Sequence, residues 1–384
     1  MQTNTKINKQ LTVFFLTVLL CCSINNTYAQ SSAADFFGQG YVLGSKDSNN
    51  YMKTSVRLQS RFDGTYLEDD SSFNKKYQFR RARVKFDGFA FSPKLAYKYE
   101  YDVLNSQVLD AVIKWNFTGN FHLWIGQTKL PGNRERVISS QKLQFVDRSL
   151  LNSRFNIDRD QGIQLRHSFN MGDMVIREAF SISKGEGRKY QGPDEGRDYT
   201  ARVELLPFGK FTGKGDYFAS DLKREATPKL AFGLTYDYNN NAVKARGQLG
   251  NVLSESRDLE TVFVDMMYKY KGLSVMAEYA NKKTSNGDPG IFDTTGNLIE
   301  SFYTGTAVNA QVGYLFKNNW ELAGRITDVN TDRNTLNNDL REYTIGVSKY
   351  IVGHYLKVQS DLSLLEEESK QDKLIFRLQV ELGF

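Results

Sequence analysis

The chain has little of the chemistry on which most enzymes and small secreted domains depend. Its only cysteines, Cys21 and Cys22, sit in an apolar run near the amino terminus. With that run removed no thiol remains, which excludes disulfide staples, thiolate metal sites and cysteine nucleophiles. Three histidines, His122, His167 and His354, lie far apart without His-x-x-x-His or comparable ligand spacing, so no metal centre is expected. No Gly-x-Ser-x-Gly setting occurs, and the glycines at 185–187 and 209–215 fit neither a Walker loop nor a dinucleotide fingerprint. Neither a cofactor nor an enzymatic activity is expected. A hydrolase built on Ser139 or Ser140 would need a histidine to converge on it in space. Excess charge is scarce as well: residues 1–29 hold two lysines and no acids, leaving 48 basic against 44 acidic side chains over 30–384. So slight and interleaved an excess excludes a nucleic-acid partner.

Long apolar runs are missing too, with one exception. Lys6 and Lys9 precede the run from Leu11 to Cys22, and polar residues then lead to Thr27-Tyr28-Ala29. This is the layout of a secretory signal peptide over 1–29. The run is too short for a spanning helix, which needs about 20 residues. Leu20, not a small residue, precedes Cys21, so the cysteine pair reads as part of the apolar run and not as a lipidation site.

What the chain does contain is aromatic residues and strict alternation. Its 26 Phe, 21 Tyr and 3 Trp are many for a water-soluble chain and suit aromatic girdles at two membrane surfaces. The mean hydropathy of -0.49 does not argue against a membrane barrel, because half of each strand faces water. Near the carboxyl terminus Leu374, Phe376, Leu378, Val380, Leu382 and Phe384 fall on one face and Arg377, Gln379 and Glu381 on the other, the two-residue period of a strand. Upstream, Val56, Leu58, Phe62 and Tyr66 oppose Arg57, Gln59, Arg61 and Asp63. Ala82, Val84 and Phe86 oppose Arg81, Arg83, Lys85 and Asp87, and Leu95, Tyr97, Tyr99 and Tyr101 oppose Lys94, Lys98, Glu100 and Asp102. The pattern continues through 232–238, 262–279, 304–316, 320–329, 341–351 and 354–365 without a competing helical period.

Connections of two lengths alternate. Short ones at 89–93, 117–120, 170–173, 271–272, 317–319 and 352–353, with a longer one at 207–229, make seven periplasmic turns. Polar ones near 67–77, 103–107, 129–161, 184–198, 239–259, 282–303, 328–340 and 366–372 make eight external loops, so 16 strands are joined. Ala242 to Gly250 alternates weakly and is assigned to an external loop, because one further strand would put the two termini on opposite sides of the membrane. The expected fold is all-β: a transmembrane antiparallel β-barrel of 16 strands over 55–384, preceded by a periplasmic segment, 30–54. Closing a sheet on itself pairs every backbone amide without leaving an edge, which lets strands cross lipid. A pair of secreted sandwich domains would also alternate. Their outer faces would be rich in Ser, Thr and Lys, whereas here Lys98, Glu100, Asp265, Glu278, Glu321, Arg325 and Asp361 set charges of both signs on one wall.

Arg57 and Arg61 share the polar face of the first strand, and Arg81, Arg83 and Lys85 that of the second. Guanidinium groups are always charged and offer a planar fork that matches carboxylate and phosphate oxygens, and ladders of such groups let pores choose anions. A second reading is open, in which these cations pair with lumen acids such as Asp63 and Asp87. The longest connection, 129–161, is the natural inward constriction loop. It carries Lys129, Arg134, Arg136, Lys142, Arg148, Arg154 and Arg159 against Glu135, Asp147, Asp158 and Asp160. Folded inward it would make the pore narrow and positive, which adds Lys129, Arg134 and Arg136 to the candidate anion-binding residues.

Several segments match a known family in order and spacing. They are Phe79-Arg80-Arg81-Ala82-Arg83-Val84, Tyr97-Lys98-Tyr99-Glu100-Tyr101-Asp102, Gly126-Gln127-Thr128-Lys129-Leu130-Pro131, Phe145-Val146-Asp147-Arg148-Ser149, Arg159-Asp160-Gln161-Gly162 and Tyr268-Lys269-Tyr270-Lys271-Gly272-Leu273-Ser274. From about residue 55 to Phe384 the chain resembles the phosphate-selective porins of the O and P type. That resemblance implies a 16-stranded, usually trimeric channel of the bacterial outer membrane that passes phosphate or polyphosphate, with Arg81, Arg83 and Lys129 in its cationic ladder. The chain departs from the family after Pro131, where Gly132-Asn133 replaces an aromatic residue and glycine. A Phe closing an amphipathic strand, as Phe384 does, resembles the assembly signal of outer-membrane barrels. The expected function is passive, anion-selective diffusion; a general or sugar-passing pore, or a barrel that binds surfaces or hydrolyses lipids, are the alternatives. The expected partners are outer-membrane lipid, small anions such as phosphate, two further copies of the chain, and the barrel assembly machinery.

Overall fold

The computed structural model describes residues 38, 40–44, 49–67, 72–193 and 196–384. The expected signal peptide and both cysteines lie outside them. The strands are β1 (Tyr41–Gly44), β2 (Tyr51–Leu67), β3 (Ser72–Phe89), β4 (Leu95–Asp102), β5 (Gln107–Thr118), β6 (Phe121–Lys129), β7 (Arg159–Met171), β8 (Met174–Ser183), β9 (Arg197–Leu206) and β10 (Lys229–Lys244). They continue with β11 (Val252–Tyr270), β12 (Leu273–Thr284), β13 (Gly290–Phe292), β14 (Leu298–Ser301), β15 (Gly305–Leu315), β16 (Trp320–Thr331), β17 (Leu340–Val352), β18 (Leu356–Glu367) and β19 (Lys373–Gly383). Two one-turn to two-turn helices, α1 (Arg134–Val137) and α2 (Leu150–Phe155), lie between β6 and β7.

Strands β2 to β12 and β15 to β19 each pair antiparallel with the next, and β19 returns to β2 in a register running from Lys373 opposite Leu67 to Gly383 opposite Arg57. This closes a ring of 16 strands. At the seam Val56 N donates to Phe384 O at 2.7 Å and Phe384 N to Val56 O at 3.0 Å. β1 adds a short pairing to the start of β2, and β13 with β14 forms a separate hairpin in an external loop. Among the described residues no helix is long and apolar enough to cross a membrane.

The alternation is inside out, as a membrane barrel requires. On β9, Tyr199, Val203 and Leu205 are about two-fifths exposed, while Thr200, Arg202 and Glu204 on the other face are no more than 5% exposed. A sandwich would bury the apolar face. Several boundaries move from their expected places. The first barrel strand starts at Tyr51 and not at 55, β3 at Ser72 within the expected 67–77 loop, and β10 and β11 consume most of the expected 239–259 loop. Ala242 and Lys244 join β10 through an irregular ladder, opposite Arg257 and Val252, without adding a strand. Outside lipid a hairpin can be polar on both faces, so alternation fades while pairing continues. Lys271 and Gly272, at φ 47° and 92°, form a two-residue turn, in which both central residues need the left-handed region that glycine occupies without strain.

Apolar packing lies inside the ring, around the connection from β6 to β7. Leu130, Leu151, Phe155 and Ile157 of that connection bury against Phe263, Ala280, Ala307, Val329 and Leu340 on the inner wall. Ile138 and Leu143 bury with Val175, Leu206, Ala231, Met267, Met276 and Phe211. Phe211 belongs to the connection after β9, which turns inward under the loop: Ala219 N donates to Lys142 O at 2.9 Å, and Lys269 Nζ donates to the carbonyls of Gly215, Phe218 and Ser220.

Candidate pore constriction

The segment 130–158 crosses the lumen and is bonded to wall strands around more than half the ring. Asn133 Nδ2 and Glu135 N donate to the Glu278 carboxylate, and Arg134 reaches Asp265 and Glu204. Gln144 Nε2 donates to Ser274 Oγ and Glu321 Oε1, and Val146 N to Asp361 Oδ2 at 2.8 Å. Leu143 O accepts from Lys357 Nζ and Gln359 Nε2. The far end is held by Arg57, whose Nη1 donates to Ser140 Oγ at 2.8 Å, and by Arg61, which pairs with Asp147 at 2.5 Å. The sequence permits this approach at two wall glycines: a Cβ on Gly313 would meet Gln144 Nε2, and one on Gly346 would lie 2.9 Å from the Phe145 ring. Gly132 lets the chain enter beside Ile157, and Ser149 caps α2 by accepting from Asn152 N.

The loop is bonded to β2, β9 to β12 and β15 to β19, and on β3 to β7 to Lys129 at the end of β6; the rest of the inner faces of β3 to β7 form the other side of the passage. The expected anion ladder is sorted by this geometry. Arg57 is bidentate to Glu381, Arg61 pairs with Asp63 and Asp147, Arg83 with Glu100 at 3.1 Å, and Lys85 with Asp87 at 2.6 Å. For these four the charge-network reading holds. Arg81 differs: it donates to Gln59 Oε1 and has no acid within ion-pair distance among the described residues. The three loop candidates serve as anchors, which corrects the expectation that they present free donors. Lys129 Nζ donates to the carbonyls of Arg136, Val137 and Ile138, Arg134 is fully buried between two acids, and Arg136 pairs with Asp158. A buried ammonium or guanidinium must find partners wherever the fold supplies them.

Cations without carboxylate partners lie where the expectation did not place them. On the inner wall they are Lys114 of β5 and Arg166 of β7, flanking Trp124 of β6. From the loop comes Lys142, whose Nζ lies 3.6 Å over the Phe218 ring. Arg80, the extra residue of a bulge opposite Gln59 and Ser60, and the exposed Lys214 of the inward connection also lack a carboxylate partner among the described residues. Burial and the nearby Lys85, Lys214 and Lys98 hold the Lys142 ammonium down to about 8. Asp147 is moved the other way: burial would raise its carboxyl, but Arg61, Arg377 and Arg81 outweigh it and hold it well below the usual carboxylate range. Acids without cation partners, such as Glu135, Glu278 and Glu321, are buried beneath the loop and accept its hydrogen bonds. The passage therefore keeps its uncompensated cations and hides its uncompensated acids. Lys114 was legible by parity, between the outward Ile113 and Trp115; the freedom of Lys142 and Lys214 depends on chain packing that no local pattern encodes.

Residues 52–374 match the family described as phosphate-selective porin O and P. No curated protein matches the sequence. Solved structures share the fold at low identity. A loop L8 deletion mutant of OmpT, an outer membrane protein of Vibrio cholerae, superposes with TM-score 0.57 at 10% identity, covering 88% of this chain and 100% of that one. An anion-selective porin from Comamonas acidovorans gives 0.55 at 9%, covering 87% and 100%. The in-vitro folded trimer form of Vibrio cholerae OmpT gives 0.54 at 11%, covering 88% and 100%.

Proposed function

Because the chain belongs to the phosphate-selective porin O and P family, we propose that it is an outer-membrane porin, a water-filled passive channel selective for phosphate and other small anions. The observation that carries this reading is the sorting of charge at the constriction, where, among the described residues, Arg81, Lys114, Lys142, Arg166 and Lys214 lack carboxylate partners and the acids lacking cations are buried. An anion entering the passage exchanges part of its hydration for these donors, and a cation meets like charge. No covalent step or energy source is needed. The apolar outer band would sit in outer-membrane lipid after export on the peptide of residues 1–29. The protomers would assemble as a homotrimer, and β19 would present Phe384 to the barrel assembly machinery.

Reversal potentials in planar bilayers under a salt gradient test the reading. Wild type is expected to prefer anions, and Lys114→Gln and Arg166→Gln each to reduce the anion-to-cation permeability ratio by roughly threefold to tenfold, at about 1 kcal/mol per neutralised charge. Cation preference in wild type overturns it.

A further inference from the structure

Trp124 is an aromatic side chain in a polar row of the pore wall, partly exposed, with Lys114 opposite on β5 and Gln164 opposite on β7. Two cations lie over its ring, Lys114 Nζ at 4.1 Å and the Arg166 guanidinium at 4.2 Å from the centroid. Most other arginines of this inner wall hold a carboxylate: Arg57, Arg61, Arg83, Arg159, Arg177 and Arg202 all do. Arg166 instead sends Nε and Nη2 to one amide oxygen, Gln164 Oε1, at 3.1 and 2.7 Å. Its Nη1 has no acceptor among the described residues. His122, opposite Arg166 and two residues from Trp124 on the same face, adds a second ring beside the cations.

An inorganic oxyanion gains nothing from the indole, whose face carries negative charge density. A flat apolar body joined to an anionic group gains from both parts of the cluster: the guanidinium fork accepts a carboxylate side-on, and the indole, once its cations turn to that carboxylate, offers an offset or edge contact to an aryl ring. Lys114 and Arg166 rest on the indole by cation–π attraction, a weaker hold than an ion pair and one they can exchange. We propose that Lys114, Trp124 and Arg166 form a subsite for aryl carboxylates, so that the channel passes aromatic organic acids as well as inorganic anions. The proposal rests on the anion-selective reading of the pore.

The test compares benzoate with acetate as blockers of chloride current through single channels in planar bilayers. In wild type, benzoate is expected to half-block at a concentration roughly threefold to tenfold below acetate. Trp124→Leu is expected to erase that difference while leaving the reversal potential unchanged, and Trp124→Phe to restore part of it. Equal block by the two acids in wild type overturns the subsite without requiring any variant, as does full discrimination surviving in Trp124→Leu. Cation preference in the reversal potential defeats the anion-pore reading, whereas an anion-selective channel blind to the aryl ring defeats the subsite alone.

Discussion

Arg134 fastens the constriction loop to the wall, and its removal should loosen the pore without emptying it of charge. The guanidinium is fully buried; Nε donates to Asp265 Oδ1 at 2.7 Å, Nη2 to Glu204 Oε1 at 3.3 Å and Nη1 to the carbonyl of Asp216 at 3.4 Å. Arg134→Met keeps much of the length and deletes the cation. Breaking a buried pair costs about 3–5 kcal/mol when the surviving charge is stranded. Here Arg202 still donates to Asp265 Oδ2 at 2.7 Å and to Glu204 Oε1 at 2.8 Å, so the acids keep a counter-charge and the lower end, about 3 kcal/mol, applies. At about 1.4 kcal/mol per factor of ten, the undocked loop becomes roughly 100-fold more populated. Single-channel recordings should then show excursions to a wider conductance level about 100 times more often than in wild type, and Arg134→Lys, which keeps the charge but loses the fork, should fall between. An Arg134→Met channel with the wild-type distribution of levels would refute the assignment of this residue as an anchor.

Two further outcomes follow from the same loop. Lys142 is charged below about 8 and neutral above, so anion selectivity is expected to fall as pH rises through that value; measured reversal potentials should show this step, and Lys142→Gln should make it smaller. Gly346→Leu drives a side chain into the Phe145 ring, whose nearest atom stands 2.9 Å from the position of a Cβ. The overpacking costs about 1–3 kcal/mol and should lower the thermal unfolding midpoint in detergent, whereas Gly324→Ala, with nothing within 4 Å, should leave it unchanged.

The barrel strands are legible because lipid and water impose opposite demands on neighbouring residues. Leu374 and Val380 must be apolar and Arg377 and Glu381 need not be, so a period of two survives in the sequence and fixes the strand count. Beyond lipid that demand lapses, which is why the ladder of β10 and β11 past Asn239 reads as loop. The roles of the cations are less legible. Arg81 and Arg83 are equivalent by spacing, yet one meets Gln59 and the other Glu100 and Asp102, because the partner is chosen by the register of a neighbouring strand. Lys129 matches its motif position, yet it binds carbonyls seven to nine residues further along the chain. A charge count along the loop cannot separate anchors from free donors.

One sequence signal does mark the docking of the loop. If alternation were set only by lipid outside and water inside, the inner positions of β11 and β12 would all be polar. The stretch from Thr261 to Met267 instead places Phe263 and Met267 inward between Thr261, Asp265 and Lys269, while Val262, Val264 and Met266 face out. On β12, Met276 and Ala280 alternate inward with Ser274, Glu278 and Lys282. An apolar residue facing a wet lumen is unfavourable by about 25 cal/mol for each Å² it exposes, so a strand apolar on both faces implies that something covers the inner one. Here the cover is Leu130, Phe155 and Ile157 over Phe263 and Ala280, and Ile138 and Leu143 over Met267 and Met276. The wall from β3 to β7 instead turns Lys85, Lys98, Lys114 and Arg166 inward and meets the loop at Lys129, the end of β6. The failure of alternation on one side of the ring and its persistence on the other thus locate both the covered wall and the passage.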